Sequence, residues 1–320
     1  MLITFDQAAA AIAEKKLLHI SGTERLLRGL PHGNWIGGST EYFMDEEGGR
    51  TSGALLDVRE LPFDTYKFVS YDEATLPSIT SDAFPNGFSI IILPFDTPAH
   101  RQYAENASNY ENIFLKNIVG WIAGFNLNAA DQTPVAVDGS RGEVFGDRAV
   151  VLHIGLPEDK TVCVNILNIF TPDPASPVIT FASGGFNART CFVDGRETLF
   201  ADYIAENKLD VKLPLIGDYS GAGVNISIKN IADGVVNFYA PIFCGIDYRF
   251  AENIPDYADA FNKKITELES MEVEFVCNCI LNFLYGGLEG KKLGGFYGPI
   301  TFGEIAWQLL NQTLVYLRIL

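Results

Sequence analysis

The sequence predicts an α+β fold of mixed, largely antiparallel β-sheets layered with helices. Three observations carry this reading. Strand-like segments are numerous in both halves of the chain, whereas each half holds only one or two long helical stripes, which fits a layered sandwich better than strict βαβ alternation. Of the 320 residues, 48% are hydrophobic and 12% aromatic, enough to fill real cores. The length exceeds what one core usually organises, and three prolines within residues 172–177 interrupt any regular element, so two domains are expected, 1–175 and 176–320.

Two helices are expected to open the chain. Asp6 is placed to cap the first, and Ser21 with Glu24 has the spacing of a capping box for the second, which ends near Gly29 and Pro31. SGALLDV, YKFVSY and FSIIILPF read as strands, the last apolar on both faces and therefore central. Pro98 then starts a helix whose stripe, Tyr103, Ala107, Tyr110, Phe114 and Ile118, recurs at spacings of three and four. AVVLHIGL and TVCVNILNIF, separated by PEDK, read as a hairpin.

Beyond the proline segment, FNARTCFV reads as a strand. DGRETLFADYIAEN reads as a turn and a helix burying Leu199, Phe200, Tyr203 and Ile204, followed by strands near 223–229 and 235–247. A further helix carries Tyr257, Phe261, Ile265 and Leu268 down one face. EFVCNCILNFLY and LNQTLVYLRIL are the closing strands.

A net charge of −17 argues against nucleic acid or an anionic membrane as partner, because phosphate binding relies on clustered Lys and Arg. No uncharged apolar run reaches 18 residues and the N-terminal segment lacks a basic leader, so neither membrane insertion nor a signal peptide is expected. Five scattered cysteines suit free thiols in a reducing, cytoplasmic setting. Cys277 and Cys279 share one face of a strand, but no CxxC or His pair stands near them, so no metal and no cofactor is expected.

Standard catalytic patterns are absent. Ser140 lacks the surroundings of a nucleophile elbow, Gly290-Lys291 is followed by Lys292 where a P-loop needs Ser or Thr, and Gly221-Ala222-Gly223 lacks a third glycine. Of the four histidines, His153 reads as a satisfied core residue, and His100, in the first turn after Asp96 and Thr97, either forms an acid-base pair with Asp96 or follows residues that simply cap the helix, the latter being expected. His32 lies beside the glycine-rich GNWIGGSTEYFM. There Gly37 and Gly38 allow a close backbone approach, and Ser39 and Thr40 supply hydroxyls either to a ligand or to local backbone amides.

At the other end, GGFYGPITFGEIAWQLLNQTLVYLRIL sets Glu304 and the polar run Asn311-Gln312-Thr313 among apolar residues, where an unpartnered acid or amide costs several kcal/mol. WIGGSTEYF, FNARTCFVDGRETLFADYIAEN, the strand with Cys277 and Cys279, and Gly295-Phe296-Tyr297 through Gly303-Glu304-Ile305 to Asn311-Gln312-Thr313 together resemble the FIST family. FIST proteins are bacterial sensory modules of an N-terminal and a C-terminal FIST domain. The resemblance implies two FIST-like halves and an intracellular sensor of small molecules such as amino acids, with a signalling protein as partner and no catalysis of its own. It departs from the family pattern by residues inserted within GFYGPITFGEI and by Asn282-Phe283 in place of a basic residue. The implied ligand site gathers Gly37, Gly38, Ser39, Thr40, Tyr297, Glu304, Asn311 and Thr313 between the halves; the other reading of Glu304 and the amides is local, bridging turns and strands. An alternative function is a hydrolase or transferase assembled from His32, Ser39, Cys277 and Glu304.

Overall fold

The structure is a computed structural model that describes residues 1–129, 132–219, 221–266 and 272–320. It is α+β, with mixed and antiparallel sheets. Three six-stranded sheets share one plan, a central parallel pair flanked by antiparallel strands.

That plan is a repeat used three times. Each repeat begins on an edge strand, Leu2–Ile3, Tyr66–Tyr71 or Val162–Leu167, and then enters an inner strand, Leu18–Gly22, Gly87–Pro94 or Phe275–Cys279. A helix, Glu24–Gly29, Pro98–Asn106 or Ile280–Tyr285, lies in the crossover to a parallel neighbour, Trp35–Ser39, Asn117–Ala123 or Gly298–Thr301. Parallel neighbours need such a crossover, because a tight turn cannot join them. A return strand, Leu56–Glu60, Ala149–Gly155 or Leu314–Ile319, closes the repeat between its edge and inner strands.

Before returning, each repeat lends a hairpin to another sheet. Tyr42–Asp45 pairs with Gly298–Thr301, the strand Ala136–Asp138 pairs with Trp35–Ser39, and Glu304–Ala306 pairs with Asn117–Ala123. The exchange closes a ring and covers edges that would otherwise be open. At its centre His19 of the first repeat packs edge-on against Trp121 of the second and Phe275 of the third, with ring centroids 5.9 and 5.7 Å away. The Trp121 indole N–H donates to His19 Nε2 at 3.0 Å.

The third repeat carries an insertion after its edge strand. This unit has a six-stranded antiparallel sheet from Ile179–Thr180 to Tyr248–Phe250 and a three-stranded sheet of Gly185–Ala188, Val235–Ile242 and Ile228–Ala232. Its two ends lie side by side, since Glu252 N–H donates to Thr171 O. Gln312 anchors it to the ring: its Oε1 accepts from Ser227 Oγ at 2.7 Å, and its Nε2 donates to Lys212 O at 3.1 Å.

Several local expectations are corrected. The sheets do not divide at residue 175, because hairpins and edge strands cross that boundary in both directions. Thr4 and Thr23, not Asp6 and Ser21, cap the first two helices, and Ser21 lies inside a strand. The helix begun at Pro98 ends at Asn106; 3₁₀ turns follow, Asn112 is left-handed, and Phe114 is 61% exposed while Ile118 joins a strand. AVVLHIGL and TVCVNILNIF do not pair with each other: the first pairs with Gly87–Pro94, the second with Leu314–Ile319.

Residues 280–285, expected as strand, form the third crossover helix, and Leu199 lies outside the helix it was expected to line. Tyr257, Phe261 and Ile265 are buried as their spacing implied, and Leu268 lies outside the described residues.

Candidate functional site

In a parallel pair the crevice beyond the carboxyl ends of the strands is where side chains and helix starts can converge on a ligand. The ring has three such places, one per repeat. Two hold the clefts described below, and at the third buried side chains bond to one another.

The third place contains most of the expected terminal residues. Glu304 is fully buried; its Oε2 accepts from Thr313 Oγ1 at 2.8 Å and from Thr313 N at 3.2 Å, while its Oε1 has no partner among the described residues. Burial pushes its carboxyl group up to about 8 against these hydrogen bonds, so it holds a proton at neutral pH. Thr301 Oγ1 donates to Gly303 O and Asn278 O, and Asn282 Nδ2 donates to Asn278 Oδ1 and Thr313 O. Asn311 is buried and donates to the Leu310 carbonyl. Glu304, Asn311 and Thr313 line none of the clefts described below.

The first place is hollow. A cleft of about 270 Å³ opens where the strands ending at Gly22 and Ser39 give way to Thr23, Glu24 and Arg25 on one side and Thr40 and Glu41 on the other. Ser39 and Thr40 therefore lie on a cleft wall, but their hydroxyls are occupied. Ser39 Oγ donates to Gly124 O and accepts from Val135 N, while Thr40 Oγ1 donates to Ile300 O and accepts from Tyr42 N. These bonds tie the three repeats together at the cleft floor.

Gly37 and Gly38 serve packing in the same strand. A β-carbon at Gly37 would fall 2.5 Å from Ile20 O, and one at Gly38 would meet Ile92 and Trp121. Tyr297 is elsewhere, lining a separate cleft of about 700 Å³ with Arg59, which donates to its carbonyl. The structure thus brings Ser39 with Thr40, and Glu304 with Thr313, but does not gather all eight expected residues into one cavity.

Glu41 is the group the sequence reading passed over. It is 7% exposed and is gripped by two amides: Asn126 Nδ2 donates to Oε2 and Gln132 Nε2 to Oε1, both at 3.0 Å. Among the described residues no Lys, Arg or His forms an ion pair with it, and Arg25, exposed on the same cleft, is likewise in no ion pair. A carboxylate fixed this way, with Gly53 leaving room beside Oε2, can receive a cation. Its position directly after Gly37–Thr40 was visible in the sequence, whereas the amides that hold it come from a loop 85 and 91 residues away.

The groups of the enzymatic alternative are not assembled. His32 is exposed and packs against Gly142, and the Ser39 hydroxyl is engaged with main-chain atoms. Burial raises the Cys277 and Cys279 thiols well above their ordinary range, the reverse of nucleophile activation. Among the described residues no cluster of three or more His, Cys, Asp or Glu is arranged to hold a metal ion, and no helix is long and apolar enough to cross a membrane.

Fold and clefts together define an α+β protein of three interlocked repeats with an inserted β-rich unit. No curated protein matches the chain. It matches DUF6976, a family of unknown function, over residues 3–320, and belongs to that family.

Proposed function

We propose that this chain is an intracellular ligand-binding protein with a sensory role and no catalysis of its own, and that the Glu41 cleft takes a free amino acid or a close relative. The observation that carries this reading is the almost wholly buried Glu41 carboxylate, which has no cationic partner among the described residues. An ammonium group would complete it, and the Arg25 guanidinium on the same cleft, in no ion pair among the described residues, suits the carboxylate of a zwitterion. A space of about 270 Å³ suits a metabolite of that size rather than a larger cofactor. The resemblance to FIST sensory modules points the same way, as does the strongly acidic composition with free cysteines.

The test is a thermal-shift screen of the full chain against amino acids and matched compounds lacking the amine. A ligand at a hundredfold its dissociation constant adds about 2.7 kcal/mol of stability. Stabilisation by amino acids but not by the corresponding carboxylic acids is expected. No shift across the panel, or equal shifts by the amine-free compounds, overturns the reading.

A further inference from the structure

The second crevice of the ring, beyond the carboxyl end of Gly87–Pro94, is hollow as well, and the inserted unit forms its other wall. The cleft measures about 380 Å³. On the ring side it is lined by Phe95, Asp96, His100 and Arg101, at the start of the nine-residue helix Pro98–Asn106; on the insert side stand Phe186, Lys229 and Tyr239.

We propose that this cleft is a second binding site, for a small planar carboxylate such as an aryl acid, independent of the Glu41 cleft. Four features of the lining converge on that chemistry.

His100 is 4% exposed, and its Nδ1 accepts from Asp96 N–H at 3.1 Å. In the neutral ring the proton therefore sits on Nε2, and that buried atom has no partner among the described residues. Burial keeps the ring neutral by lowering it to about 4. A buried N–H without an acceptor is costly, and an acceptor brought by a ligand would recover that loss.

The cationic side is unbalanced. Arg101 is engaged with Asp96 at 2.7 Å, which leaves Lys229 as the cation of this cleft with no acidic partner among the described residues. Lys229 lies over the Phe95 ring, 5.4 Å from its centroid, and Arg101 lies over Phe186 at 5.9 Å. Both cations thus stand at aromatic faces, where they repel a cationic guest and attract an anionic one.

The remaining walls are aromatic. Phe95, Phe186, Phe238 and Tyr239 offer planar surface to a ring of similar size. One neutral N–H donor and one ammonium without an acidic partner among the described residues match a monoanion that accepts from both. A doubly charged phosphate would need more donors than these walls supply.

Calorimetric titration of the full chain with benzoate, phenylacetate, benzyl alcohol, benzylamine and inorganic phosphate tests this. Benzoate or phenylacetate is expected to bind at least tenfold more tightly than benzyl alcohol, with benzylamine and phosphate silent. Lys229→Met, a surface change, is expected to weaken the carboxylate at least tenfold. His100→Phe, which keeps a ring between Phe95 and Phe186, is expected to do the same, its fold checked by thermal melting. A free amino acid in excess is expected to leave benzoate binding unchanged. The proposal is overturned if neither aryl acid binds at millimolar concentration, if the alcohol binds equally well, or if Lys229→Met binds as the parent does.

Discussion

Glu304 and Thr313 are bonded twice, through the threonine hydroxyl at 2.8 Å and its backbone amide at 3.2 Å, close to the carboxyl ends of the third repeat's strands. A buried carboxyl held this way carries a pH signature. Its folded value near 8 lies above the ordinary 4.5, so between those values the unfolded chain releases a proton that the folded chain keeps. Stability then falls as pH rises from about 4.5 to about 8, by up to about 1.4 kcal/mol per pH unit, and levels off beyond. Glu304→Gln should flatten this limb. Urea denaturation between pH 6.5 and 8.5 checks it, and an unchanged slope in the variant would contradict the assignment.

Thr313→Val removes the shorter of those bonds and leaves Glu304 with the backbone amide. A loss of about 1–3 kcal/mol is expected, the usual range for depriving a buried polar group of a partner. Denaturant midpoints at constant m-value measure it.

At low pH the histidines dominate. His19, His100 and His153 are each lowered to about 4 by burial, below the ordinary 6.5. The stability tied to their neutral forms is present above 6.5 and is lost as pH falls toward 4, since the unfolded chain takes up protons first. His19 matters most for the fold, because protonating it would end its acceptance of the Trp121 N–H where the repeats meet. Following the imidazole carbon-bound protons by NMR should show three rings neutral down to about pH 4. Titration of any of the three near 6.5 would contradict their burial.

Close backbone approach within the parallel pairs predicts a graded glycine series. A β-carbon on Gly120 would lie 1.9 Å from Ile91 O, and one on Gly37 would lie 2.5 Å from Ile20 O at the matching register. Gly120→Ala should cost about 3 kcal/mol or more, and Gly37→Ala less, because a strand carbonyl cannot move aside as a flexible side chain can. Thermal melts of both variants decide the order.

The α+β class was legible in the sequence, as were the strands 66–71 and 88–94 and the start of the helix at Pro98, because period and punctuation are local. The threefold plan was not. The repeats differ in length and side chains, the third is interrupted by the insertion, and the exchanged hairpins pair across as many as about 250 residues, so no window of sequence contains the relationship. The polar terminal run stands out in the sequence, yet Gln312 anchors the insertion and Glu304 bonds to Thr313; a sequence does not say whether a buried polar group meets a ligand or its own chain. Ser39 and Thr40 lie on a cleft wall with their hydroxyls engaged by main-chain groups, and Glu41 beside them offers the carboxylate.

The exchanged hairpins also bear on how the chain can be cut. Residues 1–175 lack the strands 298–301, 304–310 and 314–319 that complete two of the three ring sheets and support the second repeat. Expressed alone, 1–175 should show no cooperative melt, whereas mixing it with 176–320 should restore one. A cooperative melt of 1–175 by itself would mean that the exchange is dispensable.

The Glu41 cleft is tested most directly by calorimetric titration of the parent chain and Glu41→Gln with the amino acid that gives the largest thermal shift, and with its N-acetyl derivative. At least tenfold weaker binding is expected for the variant, and equally for the acetylated ligand, which has no ammonium to present. Equal affinity of parent and variant, or of the free and acetylated ligand, would contradict the role given to Glu41.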